Sequence, residues 1–83
     1  MELVQRAQDG EAEVGERVTV LDLTTSSVHD YRLVGTDARW AADGEVSVGT
    51  ALGSALHGSH VGDVVTVDDG GDARRLEVVE IDG

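Results

Sequence analysis

One stretch constrains the fold of this chain more than any other: Val46 to Val65, which reads VSVGTALGSALHGSHVGDVV. Leu52, Ala55 and Leu56 stand at i, i+3, i+4 spacing, so a short helix through them has one apolar face. Thr50 has the hydroxyl an N-cap needs to accept an orphan amide of the first turn. Gly58 suits the left-handed residue that ends a helix. Strand-like sequence lies on both sides, Val46 and Val48 before the helix and Val64 to Val67 after the Gly62-Asp63 turn. A single short helix between strands points to one helix plugging one face of a sheet.

The rest of the chain supplies the other strands. Arg17 to Leu23 is rich in Val, Thr and Leu. Thr24-Thr25-Ser26-Ser27 is a turn of residues whose hydroxyls can bond local backbone, and Val28 to Val34 completes a hairpin. Gly35 to Gly44 is a polar loop holding Trp40, with Asp43-Gly44 turning into the central strand. Val64–Val67 and Leu76–Ile81 form a last hairpin through Asp68-Asp69-Gly70-Gly71-Asp72, where glycines supply the positive φ of a tight turn. The expected core is Val18, Val20, Leu33, Val46, Val48, Leu52, Leu56, Val65, Val67, Leu76 and Val78. The fold class expected is α+β, an antiparallel five-stranded sheet packed on one short helix. The domain is placed at 14–83, with 1–13 as an N-terminal tail or vestigial helix.

Charge and composition exclude several functions. With 83 residues there is room for one small domain. Seventeen acidic residues face six basic ones, all Arg, for a formal net charge of −11. Such a surface repels phosphate backbones, so no direct nucleic-acid binding is expected. It favours basic partners or a salty interior, and also fits a compositional bias toward Arg, Asp and Glu. Cysteine is absent, which removes disulfides and thiolate chemistry. No apolar run is long enough for a membrane span and no signal-peptide pattern is present, so the expected location is the cytoplasm, with no membrane partner.

The chemistry-bearing constellations are weak. His57-x-x-His60 lacks a third ligand and spans the helix end, so no metal site is expected. The Asp68, Asp69, Asp72 cluster lacks the bidentate Glu of a calcium loop. There is no Ser-His-Asp arrangement, and Gly49-Thr50-Ala51-Leu52-Gly53 lacks the Lys of a phosphate loop. The chain is read as no enzyme, without cofactors.

The order and spacing of the elements resemble the C-terminal domain of the GreA/GreB transcript-cleavage factors. The resemblance is carried by Val14-Gly15-Glu16-Arg17-Val18-Thr19-Val20 as opening strand and Tyr31-Arg32-Leu33-Val34-Gly35 as second strand. It continues through Val46 to Val65 and the closing segment Leu76-Glu77-Val78-Val79-Glu80-Ile81. It implies an FKBP-like fold and, as partner, RNA polymerase, on a large subunit near the secondary channel. It does not imply prolyl isomerase activity, because the aromatics are Tyr31 and Trp40 with no Phe, too few for the ring-lined pocket of active FKBPs. In the resembled factors a long coiled coil precedes this domain, and cleavage depends on acidic residues at its tip. Glu2 to Ala7 could be a vestige of its last helix, and cleavage stimulation is not expected from these residues.

The docking surface implied by the resemblance is the start of the helix, in a pattern like Ser-x-Asp-Ser-Pro. Here it reads Ser47-Val48-Gly49-Thr50-Ala51, so the candidate partner-binding residues are Ser47, Gly49, Thr50, Ala51 and Leu52. Gly49 stands where the pattern is acidic and Ala51 where it has proline. The expected function is a noncatalytic polymerase-binding module that modulates elongation. The alternatives are a protein-interaction adaptor or self-associating module without polymerase docking, and a fragment of a complete cleavage factor.

Overall fold

The computed structural model describes residues 11–36, 44–68, 71 and 73–82. Its elements are β1 (Arg17–Asp22), β2 (Ser27–Val34), β3 (Glu45–Ser47), α1 (Ala51–Leu56), β4 (Val64–Asp68) and β5 (Ala73–Asp82). They build a five-stranded sheet in the order β3-β2-β1-β5-β4. Met1–Gly10, the loop around Trp40 and Asp43, and Asp69, Gly70 and Asp72 of the last hairpin lie outside the described residues.

The sequence supports α+β with one short helix on five strands, and the described residues have that architecture. The sheet is mixed, however, rather than antiparallel throughout. β1 pairs antiparallel with β2 and β5, and β4 with β5. β3 runs parallel to β2, with Arg32 opposite Glu45, Leu33 opposite Val46 and Val34 opposite Ser47. The reason lies in the connections: antiparallel neighbours can be joined by a tight turn, whereas a parallel pair needs a longer return. Gly35 to Gly44 is long enough to carry the chain back, and short strands with long loops do not announce their direction in sequence.

The β1–β2 turn is held differently from expectation. The bonds run to Asp22, whose carboxylate accepts from the amides of Thr24 (2.8 Å) and Thr25 (3.2 Å). Its carbonyl accepts from Ser26 N. Asp22 is buried, and these partners satisfy the polar group that burial would otherwise penalise. Ser26 takes φ 62° to close the turn.

Alternation along the strands builds the core. In β1, Val18 and Val20 point inward between Arg17, Thr19 and Leu21. They meet Leu33 of β2, Leu56 of α1, Val67 of β4, and Leu76 and Val78 of β5, all fully buried. A bulge between Thr19 and Val20 shifts the β1–β5 register there and leaves Val79 exposed. Val46, Val48, Leu52 and Val65, expected inside, are only half-buried, because they sit on the outer strands or at the rim of the helix. Ala12 is a core residue that patterning did not reveal. Its amide donates to Ser59 O and its carbonyl accepts from Gly58 N, both at 2.8 Å, so backbone pairing carries it in.

Candidate functional site

The candidate site is the corner between β3 and α1, and its geometry follows from a few small residues. Ser47 ends β3. Its Oγ accepts from Gly49 N at 3.1 Å and donates to Gly35 O at 3.3 Å. Its carbonyl accepts from both the amide (3.0 Å) and the hydroxyl (2.7 Å) of Thr50. Thr50 Oγ1 in turn accepts from Gly53 N at 3.1 Å, the N-cap bond that the sequence predicts. Val48 N donates to Val34 O at 2.9 Å and ties the corner to β2. Every turn of the chain between strand and helix is therefore fixed by a hydrogen bond.

The closeness of helix and strand is set by Gly53. A Cβ there would lie 1.9 Å from Ser47 O and 2.9 Å from Val48 Cα. Glycine inside a helix is costly, so a mid-helix Leu-Gly pair is the sequence signal for a close approach of this kind. That signal went unread, and Gly53 is the residue of the site that sequence reasoning missed. At the far end, His57 caps the helix with its amide on Gly53 O, and Gly58 takes φ +86° as expected for the residue after the cap.

Ser47, Gly49, Thr50, Ala51 and Leu52 thus lie together on one continuous segment. Gly49, Thr50 and Ala51 are exposed; Ser47 and Leu52 are half-buried. Gly49 does not have a left-handed φ, and a Cβ on it would meet Thr36 Cγ2 at 3.3 Å. The segment carries no ionisable side chain, and both of its hydroxyls are engaged with backbone carbonyls. It offers shape and small polar groups to a partner, rather than acid, base or nucleophile.

The other constellations lie apart from this corner. His57, the C-cap, and His60 are both exposed beyond the last helical residue, and His60 Nδ1 lies 3.7 Å from Asp63 Oδ2. Among the described residues no group of three or more His, Asp or Glu could hold a metal ion. Tyr31 is half-buried and stacks on His29, with ring centroids 6.0 Å apart. Among the same residues, no helix is long and apolar enough to cross a membrane.

Comparison with known proteins places this arrangement. Residues 7–83 match the family model described as "Transcription elongation factor, GreA/GreB, C-term". The chain is 32% identical over 81 residues to transcription elongation factor GreA of Thermotoga neapolitana, covering 96% of this chain and 52% of that protein. It is 38% identical over 73 residues to GreA of Syntrophobacter fumaroxidans, covering 88% of this chain and 47% of the relative. Among solved structures it is similar to Thermus aquaticus Gfh1, with a TM-score of 0.74 and 27% identity over 88% of this chain and 48% of that one. The chain spans about half the length of the curated relatives it matches. The strand order, the short helix at the β3 corner and the extent of the match lead to one conclusion: the chain belongs to the GreA/GreB transcription elongation factor family, over that family's C-terminal domain.

Proposed function

We propose that these residues form a noncatalytic RNA polymerase-binding module of the cytoplasm, docking on a large subunit near the secondary channel and modulating elongation there. The observation that carries this reading is the match of residues 7–83 to the C-terminal domain of the family. The corner from Ser47 to Leu52 supports the docking surface that the resemblance implies, since hydrogen bonds hold its exposed residues in one arrangement before any partner arrives. Noncatalytic action is supported by the chemistry of the corner, where Ser47 and Thr50 hydroxyls are spent on backbone carbonyls.

The test is direct. Tagged protein is titrated against purified polymerase, and then added to backtracked complexes with and without an intact Gre factor. Saturable binding, no stimulation of RNA cleavage, and competition with the intact factor are the expected results. Cleavage above background would overturn the noncatalytic reading.

A second reading is favoured by Gly49 and Ala51, which stand where the family pattern has an acid and a proline. An adaptor or self-associating module that no longer docks on polymerase would fail the titration, and a lysate pull-down would then recover another protein in its place.

A further inference from the structure

β3 and β4 are the two edges of the sheet. β3, at the candidate docking corner, is a three-residue strand, too short to template another chain. β4 is different. It pairs with β5 in unbroken register from Val64 opposite Glu77 to Asp68 opposite Ala73, and no described strand lies on its other side. Val78 N donates to Asp63 O, so the register turns the backbone groups of Val65 and Val67 toward β5. Those of Val64 and Thr66 then face outward. Val64 is 48% exposed, and Thr66 is exposed as well.

Edges of this kind are normally blunted by lysine, proline or shortening. The sequence contains neither lysine nor proline, and β4 is a run of VVTVD. We propose that the β4 edge accepts an extended, β-branched segment of a partner that carries basic residues, by strand addition. Charge selects the occupant. Asp63, its side chain half exposed and its Oδ2 accepting from His60 N at 2.8 Å, stands at the entry of the strand. Two copies pairing through β4 would set two chains of net charge −11 edge to edge; like charges across strands destabilise the pairing. A basic segment meets the opposite situation. Arg75, opposite Thr66, is an exposed cation on the next strand, and it places the basic positions of the partner at the ends of the segment rather than its middle. This edge stands at the opposite end of the strand order from β3, and α1, which starts at the Ser47–Leu52 corner, packs against β4 as well.

The probe is the synthetic peptide Arg-Val-Thr-Val-Thr-Arg, compared with the same peptide carrying Glu at both ends and with a form N-methylated at the central amides. Binding is followed by amide NMR of the intact protein. The Arg peptide should bind about tenfold or more tighter than the Glu peptide at low salt, and slow the exchange of the Val64 and Thr66 amides. The N-methylated form, equal in charge, should lose both effects. Thr66→Pro should abolish binding, because it removes an outward N–H while leaving the β5 ladder intact. If that variant fails to fold, the N-methylated peptide still decides. Equal binding of Arg and N-methylated peptides, unchanged exchange at Val64 and Thr66 under saturation, or self-association of the free protein through this edge would each overturn the proposal. Polymerase titration with Thr66→Pro reads the corner separately: loss of peptide binding with retained polymerase binding supports two independent surfaces.

Discussion

At the scale of single residues, the corner between β3 and α1 rests on Gly53 more than on any residue with a functional group. Gly53→Ala drives a methyl into the Ser47 carbonyl, at 1.9 Å. The obstacle is backbone, which cannot swing aside, so the cost should reach or exceed the roughly 1–3 kcal/mol typical of overpacking; chemical denaturation measures it, and an unchanged midpoint would show that the helix is free to lift. Thr50→Ala should cost about 1 kcal/mol by removing the cap on Gly53 N. Restoring the family pattern is the complementary experiment. Ala51→Pro falls at the first helical position, where the N–H it removes has no intrahelical acceptor. Thr50 before it has φ −90° and ψ 166°, the extended conformation that a following proline demands. The fold should accept it, with a gain of up to about 0.4–1 kcal/mol from a stiffer unfolded chain. Gly49→Asp meets no left-handed φ, and its Cβ would contact Thr36 Cγ2 at 3.3 Å and Ser47 Oγ at 3.5 Å, so the Thr36 methyl must give by a few tenths of an ångström. If the corner docks on polymerase, the double variant should bind about tenfold tighter, since a charge-assisted contact is worth about 1.5–3 kcal/mol. A folded double variant with parental affinity would remove the corner as the docking surface.

At the scale of elements, what could be read from the chain and what could not divide along physical lines. The helix was legible because Leu52, Ala55 and Leu56 repeat at helical spacing between a capping Thr50 and a terminating Gly58. Strands β1, β2, β4 and β5 were legible from β-branched runs bounded by Gly, Asp, Ser and Thr. The direction of β3 was not, since three residues beside a long loop read the same either way. Ala12 was invisible because its burial comes from main-chain pairing with Gly58 and Ser59, and alanine in a polar stretch carries no periodic signal. Of the corner, the candidate residues were found through resemblance, while the network joining Ser47, Thr50 and Gly53 depends on distances that no spacing encodes. The helix itself is tested by Leu56→Ala. Leu56 is fully buried among residues of four strands, so truncation should cost about 2–5 kcal/mol. In a domain this small that approaches the whole stability, and a melting shift of a degree or two would mean that α1 does not plug the core.

At the scale of the molecule, the charge dominates. A net charge of −11 on 83 residues is self-repulsive, and an exposed ion pair does little to offset it. Arg17–Asp82 is one, at 2.9 Å, but both side chains are about half exposed, so the pair adds little. The melting temperature should therefore rise as salt is added from a low level, because screening relieves the repulsion. A scan at increasing sodium chloride measures it, and a falling curve would show that attractive pairs outweigh the net charge.

The pairing of Ala12 with Gly58 and Ser59 has a mechanical consequence. Load applied at Glu11 does not reach the sheet first. It falls on the two bonds at the helix end, and only after these yield does it pass to Gly15 N on Leu33 O and to Leu33 N on Glu16 O. These contacts lie one after another along the chain, so they would give way in sequence, as a zip opens, rather than together. The β1 ladder behind them is spared until the last. Tension from that direction would thus loosen the helix end before it disturbs either edge of the sheet, making this short clasp the compliant joint of the domain.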